Sequence, residues 1–457
     1  MLRRNRIRWG RRVRLTFLWL AVPLAGVAAV RLAWGMIVER RLMEARRELA
    51  AAGVPETREE LAGPVIAEER NAVIPLLHAI KGLSLTSPQR ELLAASDKNG
   101  APYRADYSPA ELAQIDAVLG SMAPVFSDID AATARPGARW PAEDLVPVDR
   151  WPTIHGVNPM NTLRFLANTA GLKARRDLAH HEDAACLHDI LEILTISRVM
   201  DAGPDLVCHV MAGTERSLAA GVLEDFLPDL RFSSADDGQA RALLAALADD
   251  QSFQRAQYIA FEAVLIDLPE SVASYRELSS WPLRPVAKNL LARWMASSVA
   301  SLPAIASPTY NPALLPPSTG EGGGVLPIIT FMSISDFFDK SEMSFHSRTL
   351  TDSRALAILL AVRLYEERHG KAPGSLGELA AILPPPADPF ARDGAALRYR
   401  LDGAGPTVWS VGEDGIDSHA ALVPPPAGST ERFRQVDLVY GAAWRAFSAT
   451  LPKPLYP

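Results

Sequence analysis

The sequence predicts a mainly α-helical protein, with an N-terminal transmembrane helix, a helical bundle or irregular helical array, and a small C-terminal α+β unit. Three observations predict it. Residues 15 to 38 form one apolar run, apolar side chains recur at spacings of 3 and 4 between about 158 and 300, and LRYRL (397–401) and TVWSV (407–411) alternate with period 2.

At 457 residues with 48% hydrophobic composition, the chain is long enough for two or three domains with ordinary cores. The net charge of −6 hides an asymmetry, because the first 14 residues hold seven Arg and no acid, leaving 40 bases against 53 acids in the remainder. That acidic remainder repels nucleic acid, so no nucleic-acid partner is expected.

Taken in order, residues 1–14 read as a basic cytoplasmic tail and 15–38 (LTFLWLAVPLAGVAAVRLAWGMIV) as a transmembrane helix whose partner is the lipid bilayer. Arg31 is able to snorkel, and Trp19 and Trp34 suit the headgroup belts. The positive-inside rule keeps the Arg-rich end in the cytoplasm. This predicts a single-pass inner-membrane protein with its bulk in the periplasm or otherwise outside the cytoplasm. The competing reading is a signal peptide cleaved after Ala29.

Residues 39–302 form the predicted helical extracytoplasmic body. Glu68–Leu83 reads as a helix with Val73, Leu76, Leu77 and Ile80 on one face, and Ser108-Pro109-Ala110-Glu111 as a capping box with Pro at the first helical position. Asn158-Pro159 opens the densest section. Met160, Leu163, Leu166 and Ala170 make one stripe, Leu187, Ile190, Leu191 and Leu194 a second, and Leu206, Val210, Leu218 and Val222 a third. Further helices are predicted at about 236–248, 252–265 and 286–300. Cys186 and Cys208 fall far out of step along consecutive helices, which predicts two buried thiols and no bridge.

Residues 303–327, with Pro316-Pro317 and Gly322-Gly323-Gly324, read as a Pro/Gly-rich linker before an α+β tail at 328–457. In the tail, RALAILLAVRLYEERHG is a helix stopped by Gly370 and Pro373, and Ser375-Leu376-Gly377-Glu378 is a capping box for a short helix carrying Leu376, Leu379 and Leu383. An Asp388-Pro389 turn, two short strands and a Gly412-Glu413-Asp414-Gly415 loop follow, and a last strand and helix are expected within 433–447.

That order, through Tyr365, Gly370, Pro373, Leu376, Leu379, Asp388, Pro389, Tyr399, Ser410, Gly412, Asp414 and Gly415, resembles the globular part of the major pseudopilins of type II secretion systems. The resemblance spans roughly 65 of 457 residues. Here Gly35-Met36-Ile37-Val38-Glu39 follows the apolar run instead of preceding it, which departs from a pseudopilin leader. The whole chain is similar to bacterial membrane-anchored exported proteins in which an anchor and a helical body precede such a tail.

Few motifs carry chemistry. His180-His181-Glu182 lacks the second His of a zincin helix, since Ala185 stands there, so a polar helix junction is expected; Cys186 reads as structural. Ser410, Asp414 and Asp417, with Asp388, offer oxygens suited to one Ca²⁺, and the pseudopilin resemblance implies calcium at a comparable loop. No catalytic residue and no organic cofactor is read from the sequence. The expected function is a structural or binding role in the cell envelope, with a protein of the envelope as partner. The alternatives are an envelope hydrolase with a site assembled from distant residues, and an accessory factor of a type II secretion-like system. Acids with shifted titration gathered in one pocket favour an enzyme; an exposed apolar groove favours a binding module.

Overall fold

The computed structural model describes residues 2–51, 53–55, 57–98, 108–145, 158–203, 206–232, 237–248, 340–422 and 437–448, with short pieces between 288 and 314. The protein is mainly helical, with twelve α-helices and one three-stranded antiparallel sheet among the described residues. They fall into two compact units.

The first unit is built on α1 (Leu2–Ala51), which carries the predicted apolar run. From Ala21 it is long and apolar enough to cross a membrane, with a mean hydropathy of 1.8 and almost none of that window buried. Val22, Leu24, Val27, Val30 and Leu32 stand out from the helix. Pro23 lies inside the helix. Further along, Val38, Leu42, Ala45 and Leu49 are buried at spacings of 4, 3 and 4, and Glu39 pairs with Lys288.

The second unit holds the remaining helices and the sheet. α2 (Arg58–Ala62) starts on the side chain of Thr57. The helix predicted from Glu68 begins instead at Val73, as α3 (Val73–Gly82). Asn71 breaks it: its Oδ1 accepts from the Val73 and Arg139 amides, and its backbone bridges Gly137. Then come α4 (Ser87–Lys98), α5 (Pro109–Ser121) with the predicted capping box at Ser108 and Glu111, and α6 (Ala123–Thr133), which packs on α3.

α7 (Pro159–Ala179) is capped by Asn158 and buries Met160, Leu163, Leu166 and Ala170 as its stripe predicts. A turn with His181 at φ 60° leads to α8 (Asp183–Asp201), and α9 (Leu206–Phe226) and α10 (Asp237–Ala248) pack on α8. Cys186 and Cys208 are free, buried thiols. The predicted helices at 252–265 and 286–300 lie wholly or almost wholly outside the described residues, as does most of 303–327. Within that stretch the Tyr310 amide donates to the Pro389 carbonyl at 2.7 Å and its ring meets Phe390 edge-on.

α11 (Lys340–His369) is longer than the sequence predicts. Its first half is polar by composition, yet the Thr349, Thr351 and Ser353 hydroxyls bond the carbonyls four residues back, which lets Thr351 and Ser353 be fully buried. Ala355 to Val362 are buried without interruption, in one core with α7, α8, α9 and α10. Gly370 takes φ 68° just past its end. The expected capping box at Ser375 does not form. Glu378 instead receives the Gly374 amide on one oxygen and the Tyr365 hydroxyl on the other, and a single 3₁₀ turn follows at Leu376–Leu379.

Strand β1 (Arg398–Asp402) pairs with β2 (Gly405–Ser410) across a two-residue turn, and β2 pairs with β3 (Leu438–Gly441), which leads into α12 (Ala442–Ser448). β2 and β3 lie against α11, and Leu397, Val408 and Tyr440 join the helical core.

Candidate functional site

A cavity of about 240 Å³ opens where α9, α11, β3 and α12 meet. α9 contributes Ser217, Ala220, Gly221 and Glu224 at spacings that share one face, and α11 contributes Arg348, Asp352 and Leu356 at two successive steps of four. β3 supplies Val439 and Tyr440, and Trp444 of α12 stands beside them.

The polar groups are tightly connected. The Tyr440 hydroxyl donates to Asp352 Oδ1 at 2.6 Å, and the Ser217 hydroxyl donates to Asp352 Oδ2 at 3.0 Å. The Gly441 amide donates to Glu224 Oε1 at 2.7 Å. Gly441 is required there: its φ is 84°, and a Cβ would lie 2.5 Å from the Pro406 carbonyl oxygen. Arg348 gives Nε and Nη2 to Glu413 Oε1 at 3.0 and 2.6 Å, and the Ser344 hydroxyl joins the same oxygen.

Burial dominates the electrostatics. It pushes Glu224 up to about 7, against the opposing pull of the Gly441 amide, and neighbouring Asp225 pushes the same way. Burial also raises Asp352, although Tyr440, Ser217 and Arg348 pull it back. Tyr440 is held well above its usual range by burial and by the Asp352 charge it faces. Two carboxyls that resist ionisation therefore share one small cavity, a common feature of binding and catalytic sites.

The four residues singled out as calcium ligands lie elsewhere. Asp388 is fully buried; its Oδ1 accepts from the Phe390 amide and the Ser410 hydroxyl, its Oδ2 from the Val411 amide, and Arg398 pairs with it. Asp417 faces the same Arg398 at 3.5 Å and accepts from Trp409 Nε1 and the His419 amide, both at 2.9 Å. Burial raises Asp417, but these donors outweigh it and hold the carboxyl below its usual range. Asp388 and Asp417 thus face one guanidinium, and Ser410 is held by Asp388. Asp414 is exposed, and its Oδ1 receives the Ile416 amide. Among the described residues no group of three or more His, Cys, Asp or Glu side chains is placed to hold a metal ion.

A second polar cluster is closed inside the helices. Lys173 of α7 pairs with Asp189 and lies 3.7 Å from Glu192, both on α8, with its ammonium over the Phe126 ring. His188 reaches Asp130 of α6 at 2.9 Å. Burial raises Asp189 well above its usual range and Glu192 to about 7, and it raises Cys186 as well, which leaves that sulfur a thiol. His188 and Asp189 join α8 to α6 and α7, while His180 and His181 sit at the turn.

The cavity residues escaped the sequence reading. Asp352 stands four residues before Leu356, on the face of α11 that turns inward, and Glu224 closes an apolar run in α9; an acid on a buried face was the available signal. No family model, curated protein or solved structure matches this chain.

Proposed function

We propose that this chain is a single-pass membrane-anchored binding protein whose extracytoplasmic body takes a small ligand in the cavity between α9, α11, β3 and α12. The observation that carries the reading is the cavity's geometry: an apolar and aromatic wall of Leu356, Val439 and Trp444 beside two carboxyls, Glu224 and Asp352, that the Gly441 amide, Tyr440 and Ser217 hold in place. The exposed apolar length of α1 and the Arg-rich residues before it support the anchor and its orientation. The pseudopilin-like order of residues 351–417 supports a place in the cell envelope, beside a partner there or as an accessory to a type II secretion-like system.

Two measurements test the reading. A reporter fused after residue 60 is active only outside the cytoplasm, and activity inside overturns the orientation. Gly221 has nothing within 4 Å of an added Cβ, so Gly221→Leu projects its side chain into open space beside the cavity. Small probes that bind the full chain should lose their binding in this variant.

Envelope hydrolysis is the second reading, favoured by a Glu224 carboxyl near 7, the range suited to a general acid or base at neutral pH. Turnover of a substrate by the wild type, abolished in Glu224→Gln while binding persists, would replace binding by catalysis.

A further inference from the structure

The cavity wall holds one unpaired acceptor. Both oxygens of Asp352 already have a donor, but only one oxygen of Glu224 does: Oε1 takes the Gly441 amide, and Oε2 has no hydrogen-bond partner among the described residues. Glu224 as a whole is 9% exposed. On the donor side, Tyr440 and Ser217 spend their hydroxyls on Asp352, and the Arg348 guanidinium is paired with Glu413 through two of its five N–H groups. The remaining wall is apolar and aromatic, from Leu356, Val439 and Trp444.

A buried acceptor beside a second carboxylate calls for a cation that brings its own N–H groups. An ammonium does this, and an aromatic wall adds attraction for it through the ring face. We propose that the cavity binds a small primary ammonium compound, its charged nitrogen seated on Glu224 Oε2 next to Asp352 and its carbon chain against Leu356, Val439 and Trp444. The inference rests on the binding role proposed above. It gives the ligand a chemical class.

The proton balance follows. Glu224 must be ionised to hold the ammonium, and at neutral pH burial keeps it close to half protonated. Asp225 on the same helix and Asp352 on α11 favour its proton, Arg445 on α12 opposes it, and Tyr440 on β3 and Arg348 on α11 complete the charged surroundings. Binding therefore expels a proton from Glu224, and affinity weakens by roughly tenfold for each pH unit below about 7.

The experiment is calorimetric titration of the full chain in lipid nanodiscs with n-butylammonium, and with n-butanol and butyrate as neutral and anionic counterparts. Saturable heat is expected from butylammonium and none from the other two, with affinity rising to a plateau above pH 7. Glu224→Gln keeps an acceptor for the Gly441 amide, so it should fold; it should bind butylammonium about tenfold more weakly or worse, with no pH dependence in this range. Trp444→Leu, which leaves both acids in place, should also weaken binding. Equal binding of butanol, pH-independent affinity, or an unchanged Glu224→Gln overturns the ammonium inference. Binding of butanol or butyrate alone, lost in Gly221→Leu, overturns it while leaving the binding role intact. Absence of heat from all three probes overturns both.

Discussion

Tyr440 on β3 donates its hydroxyl to Asp352 on α11 at 2.6 Å, and this one bond joins the last strand of the sheet to the helix that runs through the core. The partner oxygen of Asp352 is held by Ser217 of α9. Three elements therefore meet on one carboxyl group.

Tyr440→Phe keeps the ring in the core and removes the donor. Asp352 Oδ1 then has no replacement for it, and the cost expected is about 1–3 kcal/mol, the range for a buried acceptor left unmet. Urea denaturation of the full chain measures it. A variant as stable as wild type would mean that water replaces the hydroxyl without loss.

The pH dependence of stability has a definite sign. Between its ordinary 4.5 and about 7, Glu224 holds a proton in the folded state that it has released in the unfolded state, so stability falls as pH rises through that window. A tenfold difference in proton affinity between the two states is worth about 1.4 kcal/mol, which gives about 3 kcal/mol for Glu224. Glu192, also raised to about 7, acts in the same direction. Glu224→Gln should match wild type near pH 4 and exceed it at pH 8. Parallel curves for the two proteins would remove Glu224 from the account.

A fragment beginning at residue 328 should fail to fold by itself. Ala355 to Val362 are buried all round α11, and much of what covers them belongs to the helical body. Circular dichroism of the isolated fragment should show helix without cooperative melting. A sharp melting transition would make the C-terminal unit autonomous.

At the loop that runs from Gly412 to Asp417, the charge that faces Asp388 and Asp417 is Arg398. Millimolar Ca²⁺ should therefore leave the melting temperature of the full chain unchanged, since a ligand stabilises only by binding the folded state. Arg398→Met, which leaves a buried carboxylate without its partner, should cost about 3–5 kcal/mol. A rise in melting temperature with Ca²⁺, lost in Asp414→Ala, would instead place calcium at the loop, as the sequence reading has it.

Much of the helical architecture was legible because single residues announce it. Ser108 with Glu111, Asn158 before Pro159, and Gly370 after α11 each satisfy or end a helix locally, and the stripe of α7 needs nothing beyond a period of 3.6. Asn71 was misread because its role depends on Gly137, a partner far along the chain. The start of α11 was missed for another reason: its Ser and Thr hydroxyls are satisfied inside the helix, so polar residues there are core residues. The cavity was illegible because Glu224, Asp352 and Tyr440 come from three distant segments, and nothing in any one of them points to the other two. At the loop, the calcium expectation grouped Asp388, Ser410, Asp414 and Asp417 but did not reveal the arginine that faces Asp388 and Asp417.

Gly441 reaches back to Glu224 across more than two hundred positions, and this span sets an order of events during biosynthesis. While the chain emerges, α8, α9 and α10 have one another early, but the acid of α9 waits for an amide made more than two hundred residues later. Until then its carboxyl faces water and has no reason to keep a proton. Closure of the cavity and uptake of that proton therefore belong to one step, which waits until β3 has left the ribosome.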